Sequence, residues 1–418
     1  MTHGKGRENV LQIWVDVSET FRNKGRSGIP RVVKSLSHAL SSLTDDQIEI
    51  FFFFREPFGY RLIHANREKL SMEGLNELHF FLGVEKDLTD SRIPVRREKR
   101  SVALRLNSLF QKGLGSDGEN AGRPVPPDYF LSLDSFWNRK RSNVRIIRRL
   151  LSHGTRIGQV VYDVLPLSNS KFFNPIFVLL FRKRLGNLLS LADDVFTISE
   201  STSNELRSYF PTVGVSKQLK QLIMGSDIGR IPIEPSFLEG RVLDDQKLRL
   251  VSVGTIEPRK NMSFLLDWWV TEGNLLFDLT VIGRPGWKTK RTQKRLKNET
   301  NRDRGFRWIS DADDAVLVKE VMAHHVGVVA SSAEGFGLPI IEMASLGLPI
   351  VASDIEVFRE VAPPGTIFFE ANNPLSLSSA LKSLDLGATR LSSIPTWHES
   401  AKALLSVIRL KTQGNDHD

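Results

Sequence analysis

Short runs of almost exclusively apolar residues recur along this chain and alternate with helical patterns. In its first half these runs occupy residues 11–17 (LQIWVDV), 48–54, 129–133, 156–164 and 195–199. Unbroken apolar runs of this length are typical of parallel strands that are covered on both faces. Since helical patterns lie between them, one of them beginning near Ile29, the first half is predicted to form a parallel α/β sheet.

The same alternation starts again in the second half of the chain. Its strand runs are residues 248–254, 276–283, 325–331 and 348–353. Two such series predict two Rossmann-like, doubly wound α/β domains, an N-terminal one over residues 1–217 and a C-terminal one over residues 218–394. Residues 218–225 are expected to form the first strand of the second domain, and residues 395–418 a final helix with a polar tail.

The composition is that of a soluble globular protein, with 40% hydrophobic and 25% charged residues among 418. No apolar run approaches the ~18 residues that a membrane-spanning helix needs. The N-terminus reaches Asp16 before the apolar core of a signal peptide could form. The chain has no cysteine, which excludes disulfides, thiolate metal sites and cysteine nucleophiles and fits a reducing compartment.

The chain is basic, with a formal net charge of +9 at pH 7. Such a balance favours anionic partners: nucleic acid, a membrane surface or a phosphate-bearing substrate. Two segments, 92–112 and 139–149, are especially rich in Arg and Lys. They are interpreted either as solvated surface or as contacts to an anionic membrane. No recognisable nucleic-acid-binding motif is present.

The motif EGFGLPIIE, from Glu334 to Glu342, carries the strongest chemical signal. It follows a strand, and Pro339 is expected to open the next helix. In open α/β sheets ligands bind at the carboxyl ends of strands, and a helix N-terminus there attracts anions. The two carboxylates and the backbone N–H groups between them therefore suit a polyhydroxylated, phosphorylated ligand. The alternative is an ordinary strand–loop–helix connection with two surface glutamates.

A second motif, VSVGTIEPRKN (251–261), places two adjacent cations at the end of another strand. The strand ends at Gly254, and Arg259 and Lys260 follow at the expected start of a helix. A helix N-terminus disfavours cations, which argues for an anionic partner. These cations are predicted to face the crevice that holds the glutamates, where they could neutralise a diphosphate.

GTIEPRKN followed about 75 residues later by EGFGLPIIEMASLGLPIVAS resembles glycosyltransferase family 4. Members of this family are retaining enzymes of the GT-B architecture, in which two Rossmann-like domains face a cleft. Weaker matches cover most of the remaining chain: SGIPRVVKSLSHAL, VVYDVLPL, DDVFTISESTSNEL, VIGRPGW and PTWHESAKALLSVI. The resemblance implies that the first domain binds the acceptor, that the second binds a nucleotide sugar, and that the C-terminal helix packs back on the first.

The resemblance also implies roles for residues of the second domain. Arg259 and Lys260 bind the diphosphate of the donor, and Glu334 contacts the hydroxyls of the donor sugar. Phe336, Gly337 and Leu338 offer backbone N–H groups to the donor, and Glu342 binds its ribose. Gly254 is a further candidate for binding the donor.

In the first domain the resemblance implies two further site residues. Gly28 lies where a loop approaches the phosphates. Asp163 is a candidate catalytic residue in a segment that in the family reads His-Asp. This chain has Tyr162 at the histidine position, so a histidine side chain is not available there. Asp134, after the run 129–133, is a further candidate for the acceptor side of the cleft.

The implied reaction moves a sugar, with mannose or rhamnose favoured, from a nucleotide-diphosphate sugar to a polysaccharide or lipid-linked oligosaccharide. We expect retention of configuration, no metal or other cofactor, and a role in cell-surface glycan synthesis. The expected location is the cytoplasm, with peripheral attachment to the inner face of the membrane if the acceptor is lipid-linked. Two alternatives stay open: a soluble sugar acceptor, and an inactive basic scaffold that binds membrane or nucleic acid.

Several other features are better explained by structure than by chemistry. Asp311 and Asp313 form a DxD pattern, but they precede a helix, where acidic residues are ordinary. The adjacent pair His324–His325 does not share a helix face, which argues against a metal site. Trp268 and Trp269 are expected in the core.

Overall fold

The structure is a computed structural model of the 418-residue chain. It describes residues 10–23, 28–56, 59–66, 126–135, 142–228, 247–302, 305–384 and 394–413. The basic segment 92–112 lies outside these residues, and so does the start of the segment 139–149. None of the helices in the described ranges is both long enough and apolar enough to cross a bilayer.

The N-terminal domain is built on a seven-stranded sheet in the order β3-β2-β1-β4-β5-β6-β7. All neighbours pair in parallel except β2 and β3, which form an antiparallel edge. The strands are β1 Leu11–Asp16, β2 Ile48–Glu56, β3 Gly59–His64, β4 Tyr129–Ser132, β5 Arg156–Val161, β6 Asp194–Thr197 and β7 Leu219–Gln221. The helices of this half are α1 Ser18–Asn23, α2 Ile29–Ser41, α3 Ser142–Leu151, α4 Leu165–Ser168, α5 Pro175–Leu189 and α6 Glu200–Val213.

The C-terminal domain has a six-stranded, wholly parallel sheet in the order β10-β9-β8-β11-β12-β13. Its strands are β8 Leu248–Val253, β9 Phe277–Ile282, β10 Phe306–Ile309, β11 Val326–Val329, β12 Ile350–Ser353 and β13 Ile367–Phe369. Its helices are α7 Met262–Thr271, α8 Lys290–Thr300, α9 Asp314–Met322, α10 Leu338–Ser345, α11 Glu356–Val361 and α12 Pro374–Lys382. A last helix, α13 Trp397–Gln413, follows.

The apolar runs form strands because each sheet is covered on both faces. In β1, Ile13 and Val15 enter one apolar cluster of the N-terminal domain, whereas Trp14 between them enters the other. In β8, Leu250 and Val251 likewise belong to two different clusters. Successive side chains of a strand point to opposite faces, so a strand buried on both sides must be apolar throughout.

The boundary between the domains differs from the predicted one. Residues 219–221 pair with β6, and Leu222 and Met224 pack in the core of the N-terminal domain. Ile228 packs in the core of the C-terminal domain. The chain therefore crosses between Met224 and Ile228, and the run 218–225 is the last strand of the first sheet rather than the first strand of the second. The physical reason is a hydrogen bond between Leu222 N–H and Thr197 O of 2.7 Å, which extends the β6 pairing.

The chain returns to the N-terminal domain just before α13. Trp397, Leu404 and Ile408 pack in the same apolar cluster as Val33 and Leu36 of α2. The two crossing segments contact each other, since Ser226 N–H donates to Pro395 O at 2.9 Å. A side chain at Gly225 would lie 2.6 Å from the backbone of Thr396, so this contact requires glycine. The two segments that connect the domains are thus tightly packed against each other at residues 225–226 and 395–396.

Candidate active site

A cleft of about 810 Å³ lies between the carboxyl ends of the two sheets. Residues of both domains line it, including every site residue that the sequence predicts. These are Gly28, Asp163, Gly254, Arg259, Lys260, Glu334, Phe336, Gly337, Leu338 and Glu342. The fold therefore brings the predicted residues together, while their individual roles remain predictions.

A buried carboxylate between two cations forms the centre of the C-terminal side of the cleft. The Glu334 carboxylate bonds the guanidinium of Arg259 through one oxygen and Lys260 Nζ, at 2.5 Å, through the other. Ser331 Oγ donates to it at 2.8 Å. Burial would raise the pKa of this carboxyl, but the two cations outweigh burial and lower it to about 2. Glu334 is therefore ionised at neutral pH.

Arg259 is fixed by more than Glu334. Its Nε donates to Glu257 Oε2 at 3.0 Å and its Nη1 to the Ala333 carbonyl at 3.3 Å. Its own carbonyl accepts from Ser332 N–H at 2.7 Å. Burial raises the pKa of the Glu257 carboxyl, against the effect of Arg259. Glu257 is not among the residues predicted from the sequence, although its place in the motif GTIEPRKN was the available signal.

The local backbone explains how two neighbouring cations reach the cleft. Pro258–Lys260 form one 3-10 turn, and Asn261 then adopts the left-handed region with φ 58° before α7 begins. Arg259 and Lys260 thus precede the helix rather than open it. Gly254, directly after β8, has φ 152°, a conformation that residues with a Cβ rarely adopt.

The N-terminus of α10 points its backbone into the same cleft. The helix begins at Leu338, one residue before the expected Pro339, and follows Gly337 with φ 109°. The side chains of Phe336 and Leu338 pack against the core of the N-terminal domain. Their peptide groups and the positive end of the helix dipole remain at the cleft, as an anion site requires.

Glu342 makes an ion pair that sequence reasoning missed. Arg31 of α2 bonds Glu342 Oε1 at 3.0 Å and Asp314 Oδ1 at 2.6 Å, which joins the two domains. Burial raises the pKa of the Glu342 carboxyl, while Arg31 acts in the opposite direction. Arg31 lies in the first turn of α2, where no acidic residue is present. A cation at a helix N-terminus, the signal that singled out Arg259, could have identified it.

The N-terminal side of the cleft presents polar groups that are already bound within their own domain. Tyr162 donates its hydroxyl to Leu133 O at 2.7 Å and is fully buried in the apolar cluster there. The Asp134 carboxylate accepts hydrogen bonds from the backbone N–H and the hydroxyl of Thr20, at 2.5 and 3.2 Å. Its proposed contact with an acceptor stays a prediction.

Asp163 and Gly28 complete this side. Asp163 Oδ1 accepts from Leu165 N–H at 3.2 Å. Burial raises the pKa of the Asp163 carboxyl, and the positive charge of Arg259 across the cleft opposes that rise. Gly28, with φ 63°, is the residue from which α2 starts.

Direct contacts hold the two domains closed over the cleft. The Gly335 carbonyl accepts hydrogen bonds from the hydroxyls of Ser199 at 2.8 Å and Thr202 at 3.1 Å. The Glu360 carboxylate of α11 accepts from the first N–H groups of α6, at 2.6 Å from Glu200 and 3.0 Å from Ser201. Residues from opposite domains therefore complete each other's hydrogen bonds.

The features interpreted as structural have structural partners. Asp313 caps α9 by accepting from Val316 N–H at 2.8 Å, and Asp311 pairs with Arg284. Burial lowers the pKa of His324 to about 4, and its Nε2 bonds Thr280 Oγ1 at 2.8 Å. Trp268 and Trp269 are buried in the core. Within the described ranges no three His, Asp or Glu side chains converge as metal ligands would.

Comparison with known proteins agrees with this geometry. Residues 236–386 match the family model of glycosyl transferases group 1, which is compatible with the family 4 resemblance drawn from the two motifs. This matched segment carries Arg259, Lys260, Glu334 and Glu342. The match lies in the C-terminal domain, the part of the chain that the sequence assigned to the nucleotide sugar.

Curated relatives match over part of the chain. The serotype-specific mannosyltransferase WbdA of Escherichia coli is 29% identical over 167 residues, 37% of this chain and 20% of that protein. The O-antigen chain mannosyltransferase B of Escherichia coli is 29% identical over 202 residues, 47% of this chain and 52% of that protein. The chain thus matches about a fifth of the first relative and about half of the second.

Solved structures confirm the fold. The Anabaena protein HepE, in complex with UDP and glucose, superposes with a TM-score of 0.62 over 96% of this chain and 99% of its own, at 12% identity. At this identity the likeness concerns the fold alone. The GT-B architecture, with two doubly wound domains that face a cleft, is thereby confirmed.

Proposed function

We propose that this chain transfers mannose from a nucleotide-diphosphate mannose to a glycan acceptor in cell-surface glycan synthesis, with retention of configuration. The observation that carries the proposal is the Glu334 carboxylate held between Arg259 and Lys260 at the carboxyl ends of β8 and β11. The names of the curated relatives support mannose over rhamnose as the sugar.

The two cations suit the leaving group. When the bond between the sugar C1 and the phosphate oxygen breaks, its electron pair stays on the diphosphate, which gains negative charge. Fixed positive groups aimed at that oxygen lower the barrier, and such groups are typically worth about 2.7–4 kcal/mol each. Arg259 and Lys260 are already held in place by Glu334, so they need little rearrangement when the donor arrives.

The carboxylates suit the polar parts of the donor. Because Glu334 is ionised, it accepts strong hydrogen bonds from hydroxyls of the donor sugar. Glu342, steadied by Arg31, is placed to accept from the ribose hydroxyls. The backbone N–H groups at the start of α10 add an uncharged anion site for the phosphates.

The acceptor hydroxyl attacks C1 from the face on which the diphosphate departs. The new C1–O bond forms there, and the acceptor proton passes to the departing phosphate oxygen. This route needs neither an enzyme nucleophile nor a metal. Asp163 remains a candidate catalytic residue, because its carboxyl interacts with Arg259 across the cleft. A cytoplasmic location fits the expected supply of nucleotide sugars and is part of the proposal.

Nucleotide binding tests the proposal directly. We would measure thermal stability of the full chain with a large excess of GDP, UDP, dTDP or ADP. A ligand at 100 times its Kd stabilises a protein by about 2.7 kcal/mol. We expect one of the four to raise Tm clearly, and the matching nucleotide-diphosphate mannose to be consumed in the presence of glycan acceptors. No rise with any nucleotide and no consumption would contradict the proposal.

A further inference from the structure

Helix α5 is apolar on two faces, but only one of them packs on the protein. Phe181, Leu185 and Leu188 are buried in the core of the N-terminal domain. On another side of the helix Ile176 and Leu179 remain 70% and 67% exposed, and Leu180 is 42% exposed. These three residues and Lys183 are spaced i, i+3, i+4 and i+7, so they share one face. A helix that is apolar all round is normally covered on all sides.

The stretch of chain that carries this exposed face is rich in cations and contains no acid. The whole stretch 164–192 contains no Asp or Glu, yet it includes Lys171, Arg182 and Lys183, all exposed. None of the three forms an ion pair with an acid in the described part of the chain. Long basic side chains beside exposed leucines are typical of helices that lie in the interface of an anionic bilayer.

The C-terminal domain continues the same surface. Trp287, 42% exposed, donates its indole N–H to Phe172 O at 3.3 Å, and its ring is tilted by 33° to the Phe173 ring with the centroids 6.0 Å apart. Its neighbour Lys288 donates to Phe173 O at 2.7 Å. Tryptophan is favoured where an apolar phase meets water. Further exposed cations follow along the chain in the turn and in helix α8: Lys288, Lys290, Arg291, Lys294 and Lys297.

This surface lies at the mouth of the cleft. Phe173, Asn174 and Phe177, at the start of α5, line the cleft, as do Trp287 and Lys288. Ile176 is one turn or less from each of the first three. A partner bound to the exposed face of α5 would therefore lie next to the opening of the cleft, through which an acceptor enters.

We propose that the exposed face of α5, together with Trp287 and Lys288, docks the mouth of the cleft on an anionic lipid bilayer. This deepens the proposed function and rests on it, because it makes the acceptor a glycan carried by a membrane lipid. A bilayer fits better than a second copy of the chain. A two-fold contact through this face would cover Arg182 and Lys183, and the stretch 164–192 of either copy has no acid to pair with them.

Vesicle binding by the full chain tests the docking surface. The probes are vesicles of phosphatidylcholine alone and of phosphatidylcholine mixed with phosphatidylglycerol, at low salt. The variant L179S/L180S removes the exposed leucines. Its matched control, L275S/L276S, removes two leucines that are 74% and 54% exposed. They lie at the amino end of β9, whereas the cleft lies at the carboxyl ends of the strands in the sheet to which β9 belongs.

We expect the wild-type chain to bind anionic vesicles at least tenfold more tightly than neutral ones. L179S/L180S should lower that affinity at least tenfold with an unchanged Tm, and the control should bind as the wild type does. R182E/K183E should remove the preference for phosphatidylglycerol, because that preference is electrostatic and is screened by salt.

Several outcomes would overturn the docking surface. Equal vesicle binding by the wild type and L179S/L180S would do so, as would a wild type that ignores lipid charge. A fall in Tm for L179S/L180S would mean that the leucines are covered by the chain itself. A wild-type dimer in light scattering that this variant dissociates would assign the face to self-association.

The same samples separate this inference from the proposed function. If a nucleoside diphosphate raises Tm while L179S/L180S binds vesicles normally, only the docking surface is wrong. If no nucleotide binds but the vesicle results hold, the docking surface stands and the proposed reaction is wrong.

Discussion

The two sides of the cleft handle polar groups differently. The C-terminal wall, formed by Glu257, Arg259, Lys260 and Glu334, holds buried charges that depend on one another. The N-terminal wall, formed by Asp134, Tyr162 and Asp163, uses its polar atoms to hold its own backbone. One side keeps charge ready for a ligand, whereas the other provides a fixed surface. This difference is the reason why we propose that donor activation resides in the C-terminal wall.

The sharpest way to break this comparison is to neutralise Glu334. E334Q removes the negative charge that Arg259 and Lys260 share and leaves Glu257 as the remaining carboxylate on Arg259, and we expect it to cost about 3–5 kcal/mol at pH 7. Denaturation by urea at pH 7 measures this loss, and E356Q, an exposed change on α11, serves as the control. A loss no greater than that of E356Q would mean that the C-terminal wall does not rely on this charge.

The lowered pKa of Glu334 also predicts that the stability lost in E334Q depends on pH. The folded-state pKa of Glu334, about 2, is below its ordinary value of 4.5. The stabilisation it provides is therefore complete above about pH 4.5 and is lost as the pH falls towards 2. The difference in unfolding free energy between the wild type and E334Q should shrink over this window. A difference that stays constant from pH 7 to pH 3 would contradict the assignment.

Lys260 tests whether the C-terminal wall is chemical as well as structural. K260A removes one of the two cations aimed at the diphosphate and should lower kcat about 10²–10³-fold, or about 2.7–4 kcal/mol of barrier. Arg259 still pairs with Glu334, so circular dichroism should report an intact fold. K382A, at the exposed carboxyl end of α12, is the matched control. Near-normal turnover in K260A would show that the Lys260 charge in the C-terminal wall does not assist the reaction.

A variant of Glu360 tests a contact that joins the two domains beside the cleft. E360A removes the acceptor for the first N–H groups of α6, and the loss of a helix cap typically costs about 1 kcal/mol. We expect a wider average opening in small-angle scattering and a modest rise in the donor KM. E356A, on the same helix, should change neither. An unchanged KM and shape in E360A would show that closure does not depend on this contact.

Tyr162 should give the smallest effect. Y162F removes one buried hydrogen bond and should cost about 0.5–1.5 kcal/mol of stability, with transfer rates within about twofold of the wild type. Y162H, which restores the residue usual in the family, provides the second arm. A tenfold loss of kcat in Y162F would show that the N-terminal wall takes part in the reaction, which would contradict the division of roles between the two walls.

The fold could be predicted where strands are apolar and buried on both faces. The strands β1, β2, β4 and β8 follow their apolar runs because each such run fits only a covered strand. The edge strands β3 and β10 carry polar residues and β13 is only three residues long, so the sequence gives little periodicity there. The run 218–225 was assigned to the wrong sheet because a short strand does not encode which neighbour it pairs with.

The site could be predicted where one segment carries both the chemistry and the geometry. Glu334 and Glu342 share a loop and its helix, and Arg259 and Lys260 follow one strand. Arg31 carries the signal of a cation at a helix N-terminus, but its partners could not be predicted, since Glu342 and Asp314 are some 300 residues away and meet it only once the domains close. Contacts between domains depend on the relative position of two folded bodies, which local patterns do not specify.

Gly335 links catalysis to closure in a way that bears on how such a sequence can diverge. A Cβ at this position would lie 2.5 Å from Tyr162 O and 2.9 Å from Asp163 Cβ, although the backbone conformation of Gly335 itself imposes no such restriction. Its neighbour Glu334 holds the two cations, and its own carbonyl receives the hydroxyls of Ser199 and Thr202. Since the nearest atom is a backbone oxygen, a larger residue at 335 should appear only where the backbone at Tyr162 and Asp163 of the opposite domain has moved away. Drift at this loop should be concerted across the two domains, even while each domain varies independently elsewhere.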